Sequence, residues 1–541
     1  MGLSLKAEQK KILNIFKIDE QYIIPEYQRP YSWGYDQCFQ FYNDLMESFK
    51  ANEDYFIGNI IIARSDNEEY ELDVIDGQQR LTTIFLMIKV LSLFTKDELF
   101  QEDFKKILGG MNRKTRQYEY RIQTRVFESN DEKAFESVLD FEISELRDLC
   151  QNENEFQEKL CSNKFQRNIK LFYSWFSFFI EKSNYKLEDF ISFFLEKVYL
   201  LPIELTGRTK DEASEKALVI FETINNRGMN LEDADIFKAK LYKRAKKVSE
   251  ENIFIDLWRS FKSDCKNLNI DIDDVFRYYS HVIRGEQKIT SGETNLREFF
   301  TMKSYSPFSL KKYKEVMSDL NRIIDVLEFI NQEKQQQSEL AKWLQLIEIY
   351  TNRYPKIALV VYLYNLDEDF EKIDYSILES IVRYVYYYGS TTKVKFGIYN
   401  IIKNISKNEP VDSYYKNLKE DYFDYLGNLK YGYALLAFYA DKKESLQKYY
   451  IDKIINLKDK KNLNWEDDKL DDFVNSLGNF IVLDIPKKNT SIQKKITYYQ
   501  TSNNSEISQS VGIISSLENK DFYLRDKQLK EKLVKFFKGE E

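Results

Sequence analysis

Three short stretches of this 541-residue chain gather side chains whose types and spacing could do chemistry. The densest is Asp73-Val74-Ile75-Asp76-Gly77-Gln78-Gln79-Arg80-Leu81-Thr82-Thr83, where a β-rich run ends in a glycine and an apolar-faced helix begins. A helix N-terminus carries unpaired N–H groups and partial positive charge, so it attracts phosphate and disfavours cations. Arg80 nevertheless falls in the first turn, at a cost of about 0.3–1 kcal/mol. Two readings stand. Either Asp76 is an N-cap with Arg80 as its ion-pair partner, or the two serve a bound anion, a metal or a water.

The second stretch, Glu26-Tyr27-Gln28-Arg29-Pro30-Tyr31-Ser32-Trp33, packs aromatic rings, an amide and a guanidinium into one loop. Its rings could stack on a base while Gln28 and Arg29 donate to a phosphate; equally, Tyr31 and Trp33 could anchor the loop in the core. The third, Asn225-Asn226-Arg227-Gly228, ends one helix with Gly228 at a left-handed cap position, and Asn230 with Asp233 starts the next. That corner is either an anion or nucleotide cluster or an ordinary αα-hairpin turn.

The elements that must position these residues are legible from periodicity. A helix is expected over Leu3 to Phe16, an extended segment at Tyr22-Ile23-Ile24-Pro25, and a helix near Tyr35 to Ser48. Tyr55 to Ala63 and Tyr70 to Ile75 suit a hairpin, and Leu81, Ile84, Phe85, Ile88 and Leu91 define the apolar face of the following helix. Residues 96 to 200 read as mostly helical, with Leu171 to Phe176 buried and no chemistry. Val198 to Leu205 reads as a strand around Pro202, and Ala213, Ala217, Ile220, Phe221 and Ile224 share a helix face. From Glu250 to about Tyr439 helix follows helix. The tail from Lys443 looks like a small separate domain ending in a basic helix at Asp526 to Lys538.

Composition narrows the classes. A net charge of −8 and a pI near 5.4 argue against coating nucleic acid by bulk electrostatics. Asn112 to Arg116, Arg121 and Arg125, interleaved with Tyr118 and Tyr120, make either a local basic groove or a solvated segment. Cys38, Cys150, Cys161 and Cys265 form no CxxC pair, which disfavours a zinc or disulfide framework and suits a reducing cytoplasm. No apolar run approaches the ~20 residues that span a bilayer, so a soluble intracellular protein is expected. The chain has a single histidine, His281, in an aromatic helical stretch where a packed, hydrogen-bonded role is expected.

Taken together and in this order, Ile24 to Trp33, Asp76 to Thr83 and Phe221 to Leu231 resemble the DUF262 domain of GmrSD-type, modification-dependent restriction proteins. With the helical pattern of the rest of the chain, the resemblance suits an α+β, predominantly helical protein. A ParB/sulfiredoxin-like mixed α/β N-terminal domain would occupy residues 1–240, with a helical insertion at about 96–197, followed by a helical region at 241–440. It also implies nucleoside triphosphate binding and hydrolysis with Mg²⁺. Asp76 and Arg80 would be the catalytic pair. Tyr27, Gln28, Arg29, Gly77, Gln78, Gln79, Asn225, Arg227, Gly228 and Lys238 would bind the nucleotide, with Asp235 continuing the third motif.

Members of that family usually continue into a DUF1524 domain, an HNH-type nuclease. Val474-Asn475-Ser476-Leu477-Gly478-Asn479 resembles its second half, whereas Tyr450-Ile451-Asp452-Lys453-Ile454-Ile455-Asn456 carries Lys453 where the family has histidine and Asn456 where it has proline. An HNH histidine takes a proton from the attacking water, a task for a group titrating near neutrality. A lysine titrating near 10.4 is protonated and does not serve. Residues 441–541 are therefore expected to hold a degenerate site around Asp452, Lys453, Asn479 and Asn489 without HNH catalysis. The expected function is an anti-phage or restriction-type protein that senses DNA, such as modified phage DNA, or another phage cue, with a protein partner or a second copy and no membrane association. The alternatives are an active modification-dependent endonuclease with a non-standard metal site, and a non-enzymatic interaction protein with a vestigial pocket.

Overall fold

A computed structural model of the protein describes residues 5–16, 20–66, 68–111, 116–126, 131–151, 163–210, 212–214, 216–217, 220, 233–350, 352–367, 369–389, 391–411, 414–456, 459, 463, 465 and 473–540. The chain divides into two compact units, Met1–Ile255 and Asp256–Glu541. It is α+β and predominantly helical.

The N-terminal unit is built on one mixed sheet. Its strands are β1 (Leu5–Ala7), β2 (Lys10–Lys11), β3 (Gln21–Ile24), β4 (Tyr55–Ser65) and β5 (Glu68–Asp76), with β8 (Ile122–Thr124) and β9 (Val198–Gly207) added from farther along. A separate two-stranded sheet pairs β6 (Gly109–Met111) with β7 (Tyr118–Tyr120). The main order is β1-β9-β4-β5-β3-β8, with β2 also on β9. The expected hairpin is present as antiparallel β4 and β5, whereas β3 runs parallel to both β5 and β8.

Proline in an interior strand removes a ladder donor, yet Pro202 lies midway along β9. On one side β9 pairs with β4 in parallel through Pro202 itself. On the other, β1 pairs only with residues 203–205 and β2 only with 199–200, so Pro202 sits at the break between two short edge strands. The break explains the tolerance, because no edge-strand carbonyl stands opposite the missing N–H.

The helices of this unit are α1 (Ile12–Ile15), α2 (Tyr35–Ala51), α3 (Gln78–Phe94), α4 (Glu98–Leu108), α5 (Asp131–Leu139), α6 (Ile143–Gln151), α7 (Lys164–Lys182), α8 (Leu187–Glu196) and α9 (Asp233–Lys246). The helix expected over Leu3 to Phe16 shrinks to α1, because Leu5 to Lys11 instead extend the sheet edge along β9. Residues 96–197 are not wholly helical either: they contribute β6, β7 and β8, the last of which closes the main sheet.

α3 runs through the core. Leu81, Ile84, Phe85, Ile88 and Leu91 are all fully buried, and each contributes on the order of 1.5–3 kcal/mol of transfer free energy as an upper bound. Phe16, Leu72, Val74, Phe172 and Phe176 belong to the same cluster. The other face of the sheet packs Ile61, Ala63, Ile75, Ile203 and Leu205 against Ala213 and Ala217.

In the C-terminal unit, long helices such as Ile272–Glu286, Tyr313–Glu333 and Tyr375–Tyr388 precede an antiparallel pair, β10 (Tyr450–Lys453) and β11 (Phe480–Leu483). A small core around Ile454, Phe473, Ile481, Ile496 and Phe522 holds that pair with the helices Ile492–Tyr499 and Asn519–Lys538. Among the described residues, no helix is long and apolar enough to cross a membrane.

Candidate functional site

β5 and α3 meet at Gly77, which takes a φ of +88° and itself occupies the N-cap position of α3. Asp76 is the last residue of β5 and does not cap the helix with its side chain. A Cβ on Gly77 would stand 2.6 Å from Ile60 Cγ2, so both backbone conformation and space demand glycine here. The turn thereby seats the start of α3 directly against β4.

Arg80 answers neither to a cap nor to a contact ion pair with Asp76. Its Nη1 donates to the Asn59 carbonyl on β4, beside Gly58. Gly58 has a φ of +134°, and a Cβ there would come within 2.9 Å of Arg80 Nη1. The guanidinium thus lies across strand backbone that only glycine leaves open. Gly58 and Asn59 belong to none of the three motifs, although a glycine inside a strand pattern is itself a sign of close approach.

Burial pushes the Asp76 carboxyl above its ordinary range, while the nearby Arg80 and Arg29 charges and the Gly77 N–H pull it back. One acid and two guanidinium groups from two separate motifs therefore share one electrostatic neighbourhood.

Gln28 ties that neighbourhood together. Its Nε2 donates to the Ile75 carbonyl at 3.0 Å and its Oε1 accepts from Gln78 Nε2 at 3.1 Å. Its backbone carbonyl accepts from Lys238 Nζ at 3.2 Å, bringing α9 to the same loop although Lys238 is buried. Tyr27 also faces α9, with its ring 6.0 Å from that of Tyr242 and Lys243 Nζ 5.9 Å from its centroid.

The amide of Gln79 bonds the loop rather than open space. Its Oε1 accepts from the Ser32 N–H at 2.7 Å and the Trp33 N–H at 3.3 Å, and its Nε2 donates to the Pro30 carbonyl at 3.2 Å. Tyr31 is the anchor that one reading of the loop expected: its hydroxyl meets Thr83 Oγ1 at 2.7 Å and its ring stacks on Phe165. Arg29, Tyr31, Gln78, Gln79, Thr82 and Thr124 line a narrow pocket that Phe135 and Phe165 close on the apolar side.

α7, in which sequence reading found no chemistry, braces this loop. Asn168 is fully buried and donates through Nδ2 to the Tyr31 hydroxyl at 2.9 Å and to the Trp33 carbonyl at 3.0 Å. Lys164 Nζ donates to the Ser32 carbonyl at 3.2 Å. An asparagine among Phe165, Ile169 and Phe172 on an apolar helix face was the available signal.

Asn225, Arg227 and Gly228 lie outside the described residues. The basic stretch is partly structural: Arg121 donates to the Lys106 and Gly109 carbonyls, and Arg125 pairs with Glu71 at 3.3 Å. His281 is packed as expected, fully buried, with Nδ1 2.9 Å from the Arg277 carbonyl.

In the C-terminal unit, Asn479 is fully buried and occupied by backbone. Its Oδ1 accepts from the Ile455 N–H at 2.7 Å, and its Nδ2 donates to the Ile455 and Val474 carbonyls, both at 2.9 Å. Asp452 pairs with Lys495 at 3.2 Å and accepts from the Tyr499 hydroxyl. Lys453 projects oppositely, its Nζ 3.5 Å from Asn475 Oδ1. Asn489 lies in the loop before the helix Ile492–Tyr499. Among the described residues, no three metal-ligating side chains cluster in either unit.

Comparison with known proteins finds similarity in the N-terminal part of the chain. Residues 10–242 match the family described as GmrSD restriction endonuclease, N-terminal domain. The chain is also 24% identical over 275 residues to an uncharacterized protein of Methanocaldococcus jannaschii. That alignment covers 44% of this chain and 43% of the relative, so less than half of the relative's length is matched. The matched residues 10–242 hold both the Asp76-Gly77-Gln78-Gln79-Arg80 corner and the loop that Gln28 ties to it, so the part of the chain that is similar to the GmrSD restriction endonuclease N-terminal domain is the part that carries the candidate site.

Proposed function

We propose that the protein is a restriction-type defence factor whose N-terminal unit binds and hydrolyses a nucleoside triphosphate. The observation that carries this reading is the convergence of Asp76, Arg80, Arg29 and the Gln28–Gln78 pair at the junction of β5 and α3. Arg80, fixed by Asn59, and Arg29 are the cations for phosphate oxygens, which match guanidinium geometry. Asp76, with its carboxyl raised by burial, is suited to take the proton from an attacking water. Lys238 and Asn168 act at one remove, by holding the loop that presents Arg29.

The residues fit a nucleotide-borne Mg²⁺. That ion needs only one or two carboxylates plus phosphate oxygens, and Asp76 offers one. When bound, it would neutralise phosphate charge. In the C-terminal unit, Lys453 in place of a near-neutral base, and Asn479 wholly engaged by backbone, support a nuclease centre that has been lost.

Phosphate release by the full chain, with modified and unmodified DNA and beside Arg80→Ala, tests the proposal. Turnover that falls at least tenfold in the variant is expected. Absence of triphosphate binding and turnover, with or without DNA, overturns it. Mg²⁺- or Mn²⁺-dependent nicking that vanishes in Asp452→Ala would instead restore the nuclease.

A further inference from the structure

Within the C-terminal unit, Lys430 and Lys453 lie close enough to repel each other, and among the described residues no carboxylate pairs with either. Lys430 opens the helix Lys430–Tyr439, where the helix dipole already favours anions over cations. Lys453 ends β10, and its ammonium is pushed below its ordinary range by burial and by the charge of Lys430. The acid next to Lys453 in sequence is engaged elsewhere: Asp452 pairs with Lys495 at 3.2 Å. Among the described residues, neither Lys430 nor Lys453 forms an ion pair.

Two contacting rings, one buried and one open, join them. Lys430 Nζ lies 5.6 Å from the Tyr431 ring, Tyr431 lies 5.5 Å edge-on from Phe480, and Lys453 Nζ lies 5.9 Å from the Phe480 ring. Phe480 is buried, but Tyr431 is 42% exposed. Asn475, also exposed, contacts Lys453 on the same side. Two uncompensated cations beside an open ring suit an anion that carries a flat group next to its charge. Nucleic acid has that chemistry, and only an unpaired base presents its face to a ring.

We propose that Lys430, Lys453 and Tyr431 form a contact for single-stranded nucleic acid, the two ammonium groups holding backbone phosphates and the phenol ring receiving an adjacent base. This contact is independent of nucleotide turnover by the N-terminal unit.

The test is fluorescence anisotropy with the full chain and labelled oligo-dT, oligo-rU and duplex DNA of about 20 nucleotides, titrated with salt. Lys430→Gln/Lys453→Gln is expected to weaken both single strands about tenfold and to lower the slope of log K against log salt by about 1.4, which is two contacts at 0.7 each. Tyr431→Ala is expected to weaken them about fivefold or more with an unchanged slope, and to leave duplex binding untouched. Lys430→Arg/Lys453→Arg should retain affinity. Equal losses on dT and rU support a contact to phosphate and base alone; a loss confined to one supports it and adds a sugar contact. A wild-type chain that binds neither strand, or either variant folded by circular dichroism with unchanged affinity, overturns the proposal.

Discussion

Gln78 Nε2 donates to Gln28 Oε1 across 3.1 Å, joining the first turn of α3 to the loop that follows β3. Because Gln28 Nε2 is fixed in turn on the Ile75 carbonyl, the bond closes a short circuit around the strand end that bears Asp76. Gln78→Ala leaves the Gln28 oxygen unmet in a partly buried setting and is expected to cost about 1 kcal/mol. The Gln28→Ala/Gln78→Ala pair should cost less than the sum of its singles. Thermal melts with hydrogen exchange across residues 24–33 read both effects; strict additivity would mean that the two amides act separately.

Gly58→Ala tests whether Arg80 depends on bare backbone. The added Cβ would stand 2.9 Å from Nη1, and the φ of +134° is one that alanine resists. Loss of triphosphate affinity comparable to that of Arg80→Ala, with a stability cost of at least about 1 kcal/mol, is expected. Unchanged affinity measured by calorimetry would show that the bond to Asn59 does not set the position of Arg80.

The sequence was read well where periodicity and residue chemistry coincide, as at the β4–β5 hairpin, Gly77 and the apolar face of α3. It was read less well where distant segments complete one another. Gln79 looked like a ligand group because nothing in its own motif reveals that Pro30, Ser32 and Trp33 will claim its amide. Leu5 to Lys11 carry a helical pattern, but β9 offers their backbone an edge to pair with, and tertiary pairing prevails over local propensity. Asn168 acts through Tyr31, a residue 137 positions away, a separation no local pattern spans.

Asn479→Ala is expected to destabilise the C-terminal unit by about 3 kcal/mol or more, because three buried backbone groups lose their partner together. The loss should be the same with and without Mg²⁺. A folded Asn479→Ala chain whose melting is unchanged, or a stability difference that appears only with metal, would return this side chain to the candidates for a catalytic ligand.

His281 makes stability pH-dependent in a window nothing else in the chain shares by type, since it is the sole histidine. Burial lowers its pKa to about 4, the bond to the Arg277 carbonyl and the Glu293 charge oppose that, and Arg284 and Arg277 reinforce it. The unfolded chain therefore takes up the proton first as pH falls below about 6.5, and stability from this group declines toward pH 4, by up to about 3 kcal/mol. His281→Asn, which keeps a donor near Nδ1, should flatten the melting temperature between pH 7 and 5. A wild-type melting temperature that is already flat there would refute a neutral, buried His281.

Asp76→Asn separates function from stability at the site itself. Because burial raises the carboxyl, the folded state holds the proton more tightly than the unfolded chain. Ionisation at neutral pH thus works against folding, and stability from this group recovers as pH falls through its folded-state value. An asparagine removes the buried charge while its oxygen still accepts the Gly77 N–H, so Asp76→Asn should melt higher than the wild type at pH 7.5, with the gap narrowing at acid pH. Turnover of triphosphate should be lost in the same variant. A lower melting temperature for Asp76→Asn would instead make the carboxylate a structural partner of Arg80 and Arg29.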